Sequence, residues 1–353
     1  MKDFGQVLLN WYLKNKRDLP WRKTKDPYKI WISEIILQQT RISQGTDYYN
    51  RFIFQYPTIK SLSNANMDAV LKLWQGLGYY SRARNIHETA KTITQYYNGV
   101  FPETYDKILK LKGVGEYTAA AIASIAFDEP VAVVDGNVFR VLSRFMCIKK
   151  PIDSTDGKKI FKLIACQLMH KSNPGDYNQA IMELGALLCT FQSPQCGFCP
   201  LKKDCCALRN DCISEFPVRS HKKEPRNRYF NYLVIHDNKE ILINKRKEKD
   251  IWQELYEFPN LESSRFITIN EIKKIKEWKW LWESKTKPTI HISDQFVHKL
   301  THQTIHAVFI EIELTKISKE IELFRKIAVK DFRKLAIHRL IDIYINKHPL
   351  FKK

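Results

Sequence analysis

Apolar residues along residues 1–213 recur at spacings of three and four, which is the period of helices that bury one face. Asp26 followed by Pro27 predicts the start of one such helix, because aspartate caps free amides and proline fits the first turn. Three side chains are expected on one face of this helix: Trp31, Glu34 and Gln38. The pattern therefore predicts an all-helical first domain over residues 1–213.

The pattern changes after residue 213. Residues 214–228 lose apolar periodicity and collect basic side chains, which predicts a linker. Beyond it apolar and polar residues alternate, as in strands with one buried face. Three strands and a final helix are predicted at residues 232–236, 241–244, 304–314 and 332–345. Residues 229–353 are therefore expected to form a second domain of the α+β class.

The composition indicates a polyanionic partner. The chain has 58 Lys and Arg against 38 Asp and Glu, a formal net charge of +20, and both halves carry a basic excess. Its 44% hydrophobic residues can fill two cores, which excludes a disordered chain and a disulfide-stapled miniprotein. A folded chain this basic most often binds nucleic acid.

The chain is expected to be intracellular. No apolar run is long enough to span a bilayer, and residues 1–17 predict an amphipathic helix rather than a secretory signal. The expected location is the cytoplasm, with association to the nucleoid if the protein is bacterial. Because no heptad seam indicates an oligomer, a monomer without membrane contact is the default expectation.

Six of the eight cysteines lie within residues 189–212, and such crowding in an intracellular chain favours a metal site over disulfides. Four of them have the spacing C-x6-C-x2-C-x5-C, whereas structural zinc sites more often pair two short C-x2-C knuckles. The spacing therefore favours a [4Fe–4S] cluster. The expected ligands are Cys189, Cys196, Cys199 and Cys205. Zinc or free thiols are the alternatives, and Cys206 is a possible substitute for Cys205.

The segment Gly113-Val114-Gly115 separates two predicted helices. Glycines permit positive φ and close backbone approach, and the helix that follows presents free amides. Together these features would bind a phosphate oxygen without reading the base sequence, although a G-x-G pair alone is also compatible with an ordinary tight turn.

Two acidic residues occupy contrasting positions. Glu34 lies in the apolar segment 31–37, where desolvation would raise its pKa and keep the carboxyl protonated. Asp135 stands at the start of a predicted helix, where it is most simply an N-cap and where the helix amides would keep it ionised. One neutral and one charged carboxyl form the arrangement that cleaves a glycosidic bond through an oxocarbenium-like transition state.

These motifs resemble those of MutY-type adenine DNA glycosylases, which belong to the helix–hairpin–helix glycosylase superfamily. The further shared segments, in order, are Leu19-Pro20-Trp21-Arg22, Ser33-Glu34, Leu37-Gln38-Gln39-Thr40, Gly76-Leu77-Gly78-Tyr79-Tyr80 and Val134-Asp135-Gly136-Asn137. Lys112 departs from the family, which usually has proline there. The resemblance implies an all-helical helix–hairpin–helix domain with an iron–sulfur loop at 189–205, followed by a NUDIX-like α+β domain.

The resemblance implies hydrolysis of the N-glycosidic bond of adenine mispaired with 8-oxoguanine or guanine in duplex DNA, after the base is flipped out. Glu34 would protonate N7 of adenine. Asp135, oriented by Asn137, would stabilise the sugar cation or form a transient adduct. Further residues match family positions that line the adenine pocket (Trp21, Arg22, Gln179) or wedge into the duplex (Gln39, Tyr79), although core packing is the alternative for Trp21 and Tyr79.

Tyr117 decides between two related chemistries. Endonuclease III-like enzymes have a lysine at this position, two residues after the second glycine of the hairpin, and its amine forms a Schiff base that permits strand cleavage. Tyrosine cannot form one, so the chain is expected to be a monofunctional glycosylase. Two alternatives stay open at this point: a bifunctional glycosylase with lyase activity, and a non-catalytic protein that binds mismatches.

The second half resembles, more loosely, the NUDIX-like domain with which MutY proteins recognise 8-oxoguanine. Residues 251–259 lack the glutamate-rich R-E-x-x-E-E core that holds metal in NUDIX hydrolases, so pyrophosphate hydrolysis is not expected. The segment Leu300-Thr301-His302 looks like the Phe-Ser-His hairpin of the family, whose residues contact the oxidised guanine. The alternative is that these three are ordinary strand residues.

Overall fold

The helical period of the first half is realised as a run of α-helices in the computed structural model, which describes residues 4–220, 224–283, 286–317 and 324–352. In chain order these helices are α1 (Phe4–Asn15), α2 (Pro27–Leu37), α3 (Ile42–Gln55), α4 (Ile59–Ser63), α5 (Met67–Trp74), α6 (Ser81–Tyr96), α7 (Tyr105–Leu109), α8 (Glu116–Phe127), α9 (Gly136–Met146), α10 (Thr155–Leu168), α11 (Pro174–Leu187) and α12 (Cys206–Arg209). The predicted start of α2 is confirmed, since the Asp26 carboxylate accepts a hydrogen bond from the Tyr28 amide at 2.9 Å.

The chain divides into two units of dense internal packing. Unit 1 consists of Met1–Asn64 and Asn85–His221, and unit 2 of Ala65–Arg84 and Lys222–Lys353. The segment Ala65–Arg84 therefore belongs to unit 2, whereas the sequence pattern places it inside the helical domain.

Helix α8 lies at the centre of unit 1. Its alanines at 119–123 and the intervening Ile122 are buried, and their small size lets α2, α7 and α11 pack closely against it. Helix α11 also packs against α1 and α9. The helices that carry Glu34 (α2), Tyr117 (α8), Asn137 (α9) and Gln179 (α11) are thereby brought together.

The predicted hairpin connects α7 to α8. Gly113 has φ +76°, and a Cβ there would lie 2.6 Å from the Cβ of Asn85, so both conformation and space require glycine. Val114 anchors the turn with a buried side chain and with its amide, which donates to the Leu111 carbonyl at 3.2 Å. Gly115 is the N-cap of α8, and a Cβ there would meet no atom within 4 Å. The backbone at this helix start is therefore open to close approach.

Unit 2 is built on a mixed β-sheet. Its strands are β1 (Arg226–His236), β2 (Glu240–Lys245), β3 (Tyr256–Glu257), β4 (Asn260–Ser263), β5 (Thr289–Ile292), β6 (Phe296–Lys299), β7 (Gln303–Glu313) and β8 (Arg325–Ala328). The order is β3-β2-β1-β7-β5, with β4 beside β1, β6 beside β7 and β8 beside β2. Strands β1 and β7 form a parallel pair in register from Arg226↔Gln303 to His236↔Glu313.

The predicted strands are confirmed, with longer bounds in places. Strand β1 begins at Arg226, so the last residues of the predicted linker are paired with β7. Helix α13 (Ile269–Lys274) packs over one sheet face, where Ile272 joins a core with strand residues. On the other face, Tyr344 stacks on Phe309 with ring centroids 3.9 Å apart.

The prediction of one continuous helix over residues 332–345 was wrong. The structure has α14 (Val329–Phe332) and α15 (Arg339–Lys347), with irregular chain between them. The reason is tertiary: Ile337 forms a β-bridge with Tyr256, which requires extended backbone where the apolar spacing alone favours a helix.

None of the helices in the described part of the chain is long and apolar enough to cross a membrane.

Candidate active site

A cavity of about 500 Å³ opens in unit 1 between α2, α8, α9 and α11. It gathers nine residues that the sequence singled out: Trp21, Arg22, Glu34, Gln38, Gln39, Tyr117, Asp135, Asn137 and Gln179. These positions are spread over about 160 residues of sequence, so their convergence is a product of the fold. Trp31 does not line the cavity but is fully buried in the core, where it packs against Tyr28 and Phe101.

Glu34 is a buried carboxyl on α2 that faces this cavity. The hydroxyl of Tyr117 donates a hydrogen bond to its Oε2 at 2.7 Å. The pKa of Glu34 is raised to about 7, chiefly by burial and also by the charge of Asp135, while Tyr117 and Arg22 oppose the rise. The predicted direction of this pKa shift is confirmed, and the carboxyl can hold or release a proton near neutral pH.

Asp135 caps α9, as its place in the sequence predicts. Its Oδ1 accepts the amides of Asn137 at 2.9 Å and Val138 at 2.8 Å, and its Oδ2 accepts the Asn137 side-chain amide at 2.6 Å. The cap donors favour the ionised carboxylate, as the sequence predicts, but burial is the larger effect: it raises the pKa of Asp135, and these donors and Arg140 lower it by less. The local sequence shows the cap but not how far the surrounding helices exclude water.

Arg140 links this cap to the cysteine-rich segment. Its Nη2 donates to the Asn137 side-chain oxygen at 2.6 Å and to the Gly185 carbonyl at 2.8 Å, and its Nε donates to the Cys189 carbonyl at 3.1 Å. A Cβ on Gly185 would lie within 3 Å of Asn137, so glycine permits the close approach of α11 to α9. Asn137 is thereby held on both sides and orients Asp135.

Tyr117 projects from the first turn of α8 into the cavity. Burial raises the pKa of its hydroxyl well above the usual value, and Glu34 and Asp135 raise it further, so the hydroxyl keeps its proton and acts as a donor. The sulfur of Met182 lies 3.3 Å from the same oxygen. The Tyr117 side chain ends in a phenol and therefore supplies no amine at this position.

Glu183 is a site residue that the sequence reasoning missed. It is 1% exposed on α11 and receives two hydrogen bonds each from the guanidinium groups of Arg17 and Arg22, at 2.6–2.9 Å. Burial opposes its charge, but the two arginines outweigh it and lower the pKa of Glu183 to about 2. An acid within the apolar run 181–184 was a detectable signal, of the kind that identifies Glu34.

Three further predicted residues, Trp21, Gln39 and Tyr79, have different surroundings. Trp21 is buried at the cavity wall, edge-on to Tyr49 at 5.3 Å, so it both lines the cavity and packs in the core. Gln39 lies at the cavity with a left-handed φ of +57°. Tyr79 belongs to unit 2, is 45% exposed and has φ +47°. A left-handed backbone at a residue other than glycine costs roughly 1–3 kcal/mol and is often found at functional sites.

The four predicted metal ligands lie in one loop of unit 1 as free thiols. Arg144 donates to the Cys189 sulfur at 3.4 Å, the Leu201 amide donates to Cys199, and the amides of Ala207 and Leu208 donate to Cys205. Burial is the largest effect on the thiols of Cys199 and Cys205: the pKa of Cys199 is raised to about 11 and that of Cys205 is also raised, while these donors oppose the rise and favour the thiolate, the form that binds metal. In the described part of the chain, however, no three or more His, Cys, Asp or Glu side chains are arranged to hold a single metal ion.

The expectation that the crowded cysteines favour a metal site over disulfides was wrong for Cys206. Cys147 and Cys206 are bonded, at positions 59 apart in sequence, because α12 packs against the C-terminal end of α9. Cys206 is therefore not available as the substitute for Cys205 that its position in the sequence allows.

We expect Glu183→Gln to lower the free energy of unfolding by about 2–4 kcal/mol at neutral pH, because it leaves two arginines without their shared carboxylate. The stabilisation is present above pH 4.5 and is lost as pH falls toward the folded-state pKa of about 2. Urea unfolding curves should therefore show a gap between wild type and variant that narrows below pH 4.5. Glu88→Gln, which breaks the exposed pair with Lys112, should change stability by less than about 0.5 kcal/mol; an equal effect of both variants would contradict this prediction.

Two family models match the chain. The model described as "HhH-GPD superfamily base excision DNA repair protein" matches residues 32–165, which include Glu34, Tyr117 and Asp135. The model described as "NUDIX domain" matches residues 231–347.

Among solved structures, a thermostable thymine-DNA glycosylase is similar with a TM-score of 0.54 and 29% identity, over 59% of this chain and 96% of that one. A non-covalent endonuclease III–DNA complex is similar with a TM-score of 0.51 and 24% identity, over 59% of this chain and 94% of that one. The second likeness shows the fold alone.

Relatives of known function match over most of the chain. The adenine DNA glycosylase of Buchnera aphidicola subsp. Baizongia pistaciae is 39% identical over 322 residues, which cover 89% of this chain and 87% of that protein. The adenine DNA glycosylase of Rattus norvegicus is 33% identical over 392 residues, which cover 95% and 75%. These matches show that the chain belongs to the family of adenine DNA glycosylases, enzymes of base excision repair that hydrolyse an N-glycosidic bond.

Proposed function

We propose that this enzyme removes adenine mispaired with 8-oxoguanine or guanine in duplex DNA, by hydrolysis and without cutting the strand. The observation that carries the proposal is the pairing of Glu34, whose pKa is about 7, with the capped Asp135 at one cavity. A volume of about 500 Å³ is within the range of small-molecule sites and suits a base swung out of the stack. Trp21 offers an aromatic edge, and Arg22 and Gln179 offer polar groups for its heteroatoms.

Glu34 is proposed as the general acid. As the bond between C1′ and N9 breaks, its electron pair passes to the adenine ring, and a proton from Glu34 at N7 makes the leaving base neutral. The hydrogen bond from Tyr117 holds the carboxyl in place. A carboxyl with pKa about 7 still carries its proton in a large fraction of molecules at neutral pH, whereas an ordinary glutamate does not.

Asp135 is proposed to stabilise the positive charge that develops on the sugar, directly or as a transient adduct. Its three N–H donors favour the ionised form and fix both oxygens, so the charge is already oriented before the reaction. Water then adds to C1′, and the proton that this water loses passes to a carboxylate. The product is an abasic site. Tyr117 in the place of the lyase lysine supports hydrolysis over strand cleavage.

The hairpin Gly113-Val114-Gly115 is proposed to bind a backbone phosphate at the start of α8. The open space around Gly115 supports this contact. Among the three backbone amides of the hairpin, that of Val114 is the least available, because it already donates a hydrogen bond within the turn. Gln39 and Tyr79 are proposed to enter the duplex beside the opposite base. We further propose that residues 1–213 form the catalytic domain and residues 229–353 a recognition domain, acting as a monomer.

The four-cysteine loop is proposed to hold a [4Fe–4S] cluster through Cys189, Cys196, Cys199 and Cys205. Each thiolate of a cubane binds a different iron atom, so its ligands need not converge on one point as zinc ligands do. The amide and guanidinium donors at these sulfurs support the proposal. The cluster would order the loop, and no chemical step depends on it.

We expect Glu34→Gln to slow adenine excision by at least about 100-fold, because the amide cannot donate the proton, while mispair affinity changes little. Single-turnover assays would use duplexes with adenine opposite 8-oxoguanine, guanine or thymine, analysed with and without hot alkali. Wild type and Glu103→Gln, an exposed control, should give breaks only after alkali and only in mispaired duplexes. Breaks without alkali, together with borohydride trapping, would indicate a lyase, and a wild type that binds but excises nothing would indicate a binding protein.

The pH dependence tests the role of Tyr117. Excision should fall as pH rises through the Glu34 pKa of about 7, because the acid loses its proton. Tyr117→Phe removes a hydrogen bond that lowers this pKa, so the alkaline limb should move upward by about 1 pH unit. Single-turnover rates across pH 5–9 measure the shift. Tyr96→Phe, at an exposed position, should leave the profile unchanged, and a downward shift in Tyr117→Phe would refute the assignment.

Leu300, Thr301 and His302 are proposed to contact 8-oxoguanine. They form the turn between β6 and β7 rather than strand, and Thr301 and His302 are exposed there. We expect His302→Ala to slow excision of adenine opposite 8-oxoguanine several-fold more than opposite guanine, in parallel single-turnover assays. Equal slowing on the two duplexes would remove this role.

A further inference from the structure

Residues Ala65–Arg84 interrupt unit 1 in sequence but are packed into unit 2. Within this segment, Lys72 on α5 donates to the carbonyl oxygens of Arg333 at 2.6 Å and Leu335 at 3.0 Å, and to Oε1 of Gln75 at 3.0 Å. An ammonium group has three donors, so all of them are used. The carbonyls belong to the irregular chain between α14 and α15, so Lys72 ties α5 to that chain.

Other contacts of the segment reach the sheet. Asp68 at the start of α5 accepts from Nζ of Lys245 at 2.7 Å and from the hydroxyl of Tyr256 at 2.8 Å. At the opposite end, Arg84 donates to the carbonyl of Gln253 at 2.8 Å. The segment is therefore held at both ends, by side chains on β2 and β3 and by backbone that precedes β3.

The loop between these anchors, residues 75–80, has an unusual backbone. Gly76 and Gly78 have φ values of +100° and +72°, and Tyr79, which has a side chain, also has a positive φ of +47°. The next residue, Tyr80, is buried, and its hydroxyl lies 3.4 Å from the Ile337 carbonyl. The loop thus turns one tyrosine into unit 2 and presents the other, Tyr79, 45% exposed.

A buried arginine supports the exposed ring. Arg82 donates to the carbonyls of Leu77 and Gly78 at 3.4 and 3.3 Å, and its guanidinium lies 5.6 Å from the ring centroid of Tyr79 and 5.3 Å from that of Trp74. The strained loop is therefore supported from below as well as at its two ends.

We propose that the C-terminal elements of unit 2 position Tyr79: the contacts of Lys72 and Tyr80 hold the loop in the conformation in which its exposed ring can enter a duplex. The inference rests on the proposed function, in which Tyr79 acts beside the mispair. It gives the NUDIX-like domain a second task besides contact with the opposite base.

The physical reason is preorganisation. Inserting a side chain between base pairs costs a few kcal/mol of lost stacking. A ring on a mobile loop would also have to be ordered at that moment, which costs further free energy. Contacts that hold the strained loop before DNA arrives remove this second cost, so they should strengthen binding to a mispair and leave binding to matched DNA, where no ring inserts, unchanged.

The test is a double-mutant cycle on the full-length protein. Lys72→Met keeps an unbranched stem and removes the three hydrogen bonds, and Tyr79→Ala removes the ring. The control is Lys326→Met in the same unit, whose ammonium pairs with the exposed Glu240. The dissociation constant is measured for a duplex with non-hydrolysable 2′-fluoro-2′-deoxyadenosine opposite 8-oxoguanine and for a matched duplex with thymine. Thermal unfolding checks folding, and Tyr80→Phe replaces Lys72→Met if the latter does not fold.

Lys72→Met should weaken mispair binding by about 3- to 10-fold and matched binding by less than 2-fold. In protein that already carries Tyr79→Ala, Lys72→Met should weaken mispair binding by less than 2-fold. The inference would be overturned if Lys72→Met kept the wild-type preference for the mispair over matched DNA. It would also be overturned if Lys72→Met weakened mispair binding equally in the presence and absence of the Tyr79 ring. Because the assay measures binding, failure of the proposed function is distinct: the wild type would then show no preference for the mispair or would excise no adenine.

Discussion

The chemistry proposed for this protein depends on the exclusion of water around two carboxyl groups that share one cavity. Ionisation of Glu34 is unfavourable in free energy there, because the carboxyl is buried and because the charge of Asp135 is near. Asp135 is also raised in pKa by burial, but it has three N–H donors that stabilise its anion, whereas Glu34 has one donor from Tyr117. This asymmetry of donors, in a shared environment, supports the different roles proposed for the two carboxyls.

The rest of unit 1 maintains that asymmetry. The donors to Asp135 come from the start of α9, and Arg140 connects Asn137 to α11 and to the cysteine-rich loop. At the same cavity, the Glu183 carboxylate compensates the charges of Arg17 and Arg22. Arginines without that carboxylate would add positive charge near Glu34 and favour its ionised form, which cannot act as the proposed general acid.

Unit 2 contributes a different kind of constraint. Its sheet and the irregular chain before α15 form hydrogen bonds with side chains of Ala65–Arg84, a segment that is distant in sequence. The loop at residues 75–80 of this segment carries Tyr79 on strained backbone. The same unit presents the turn at residues 300–302. Two exposed features that are suited to DNA are thereby carried by one packed unit.

Local physics was readable from the sequence by itself. Helical and strand periods, the caps at Asp26 and Asp135 and the glycine turn at Gly113 follow from neighbours within a few residues, and the apolar segment around Glu34 indicated that its carboxyl would be buried. The family resemblance, which rests on short motifs in order, supplied the adenine chemistry.

Only the tertiary structure decided what depends on distant residues. The pKa direction of Asp135 depends on how completely packed helices remove water, and the pairing of Glu183 with Arg17 joins positions 166 residues apart. The Cys147–Cys206 bond, the break in the predicted final helix and the placement of Ala65–Arg84 in unit 2 have the same origin. Burial and long-range pairing are properties of neighbours in space, and a chain read in order contains only its neighbours in sequence.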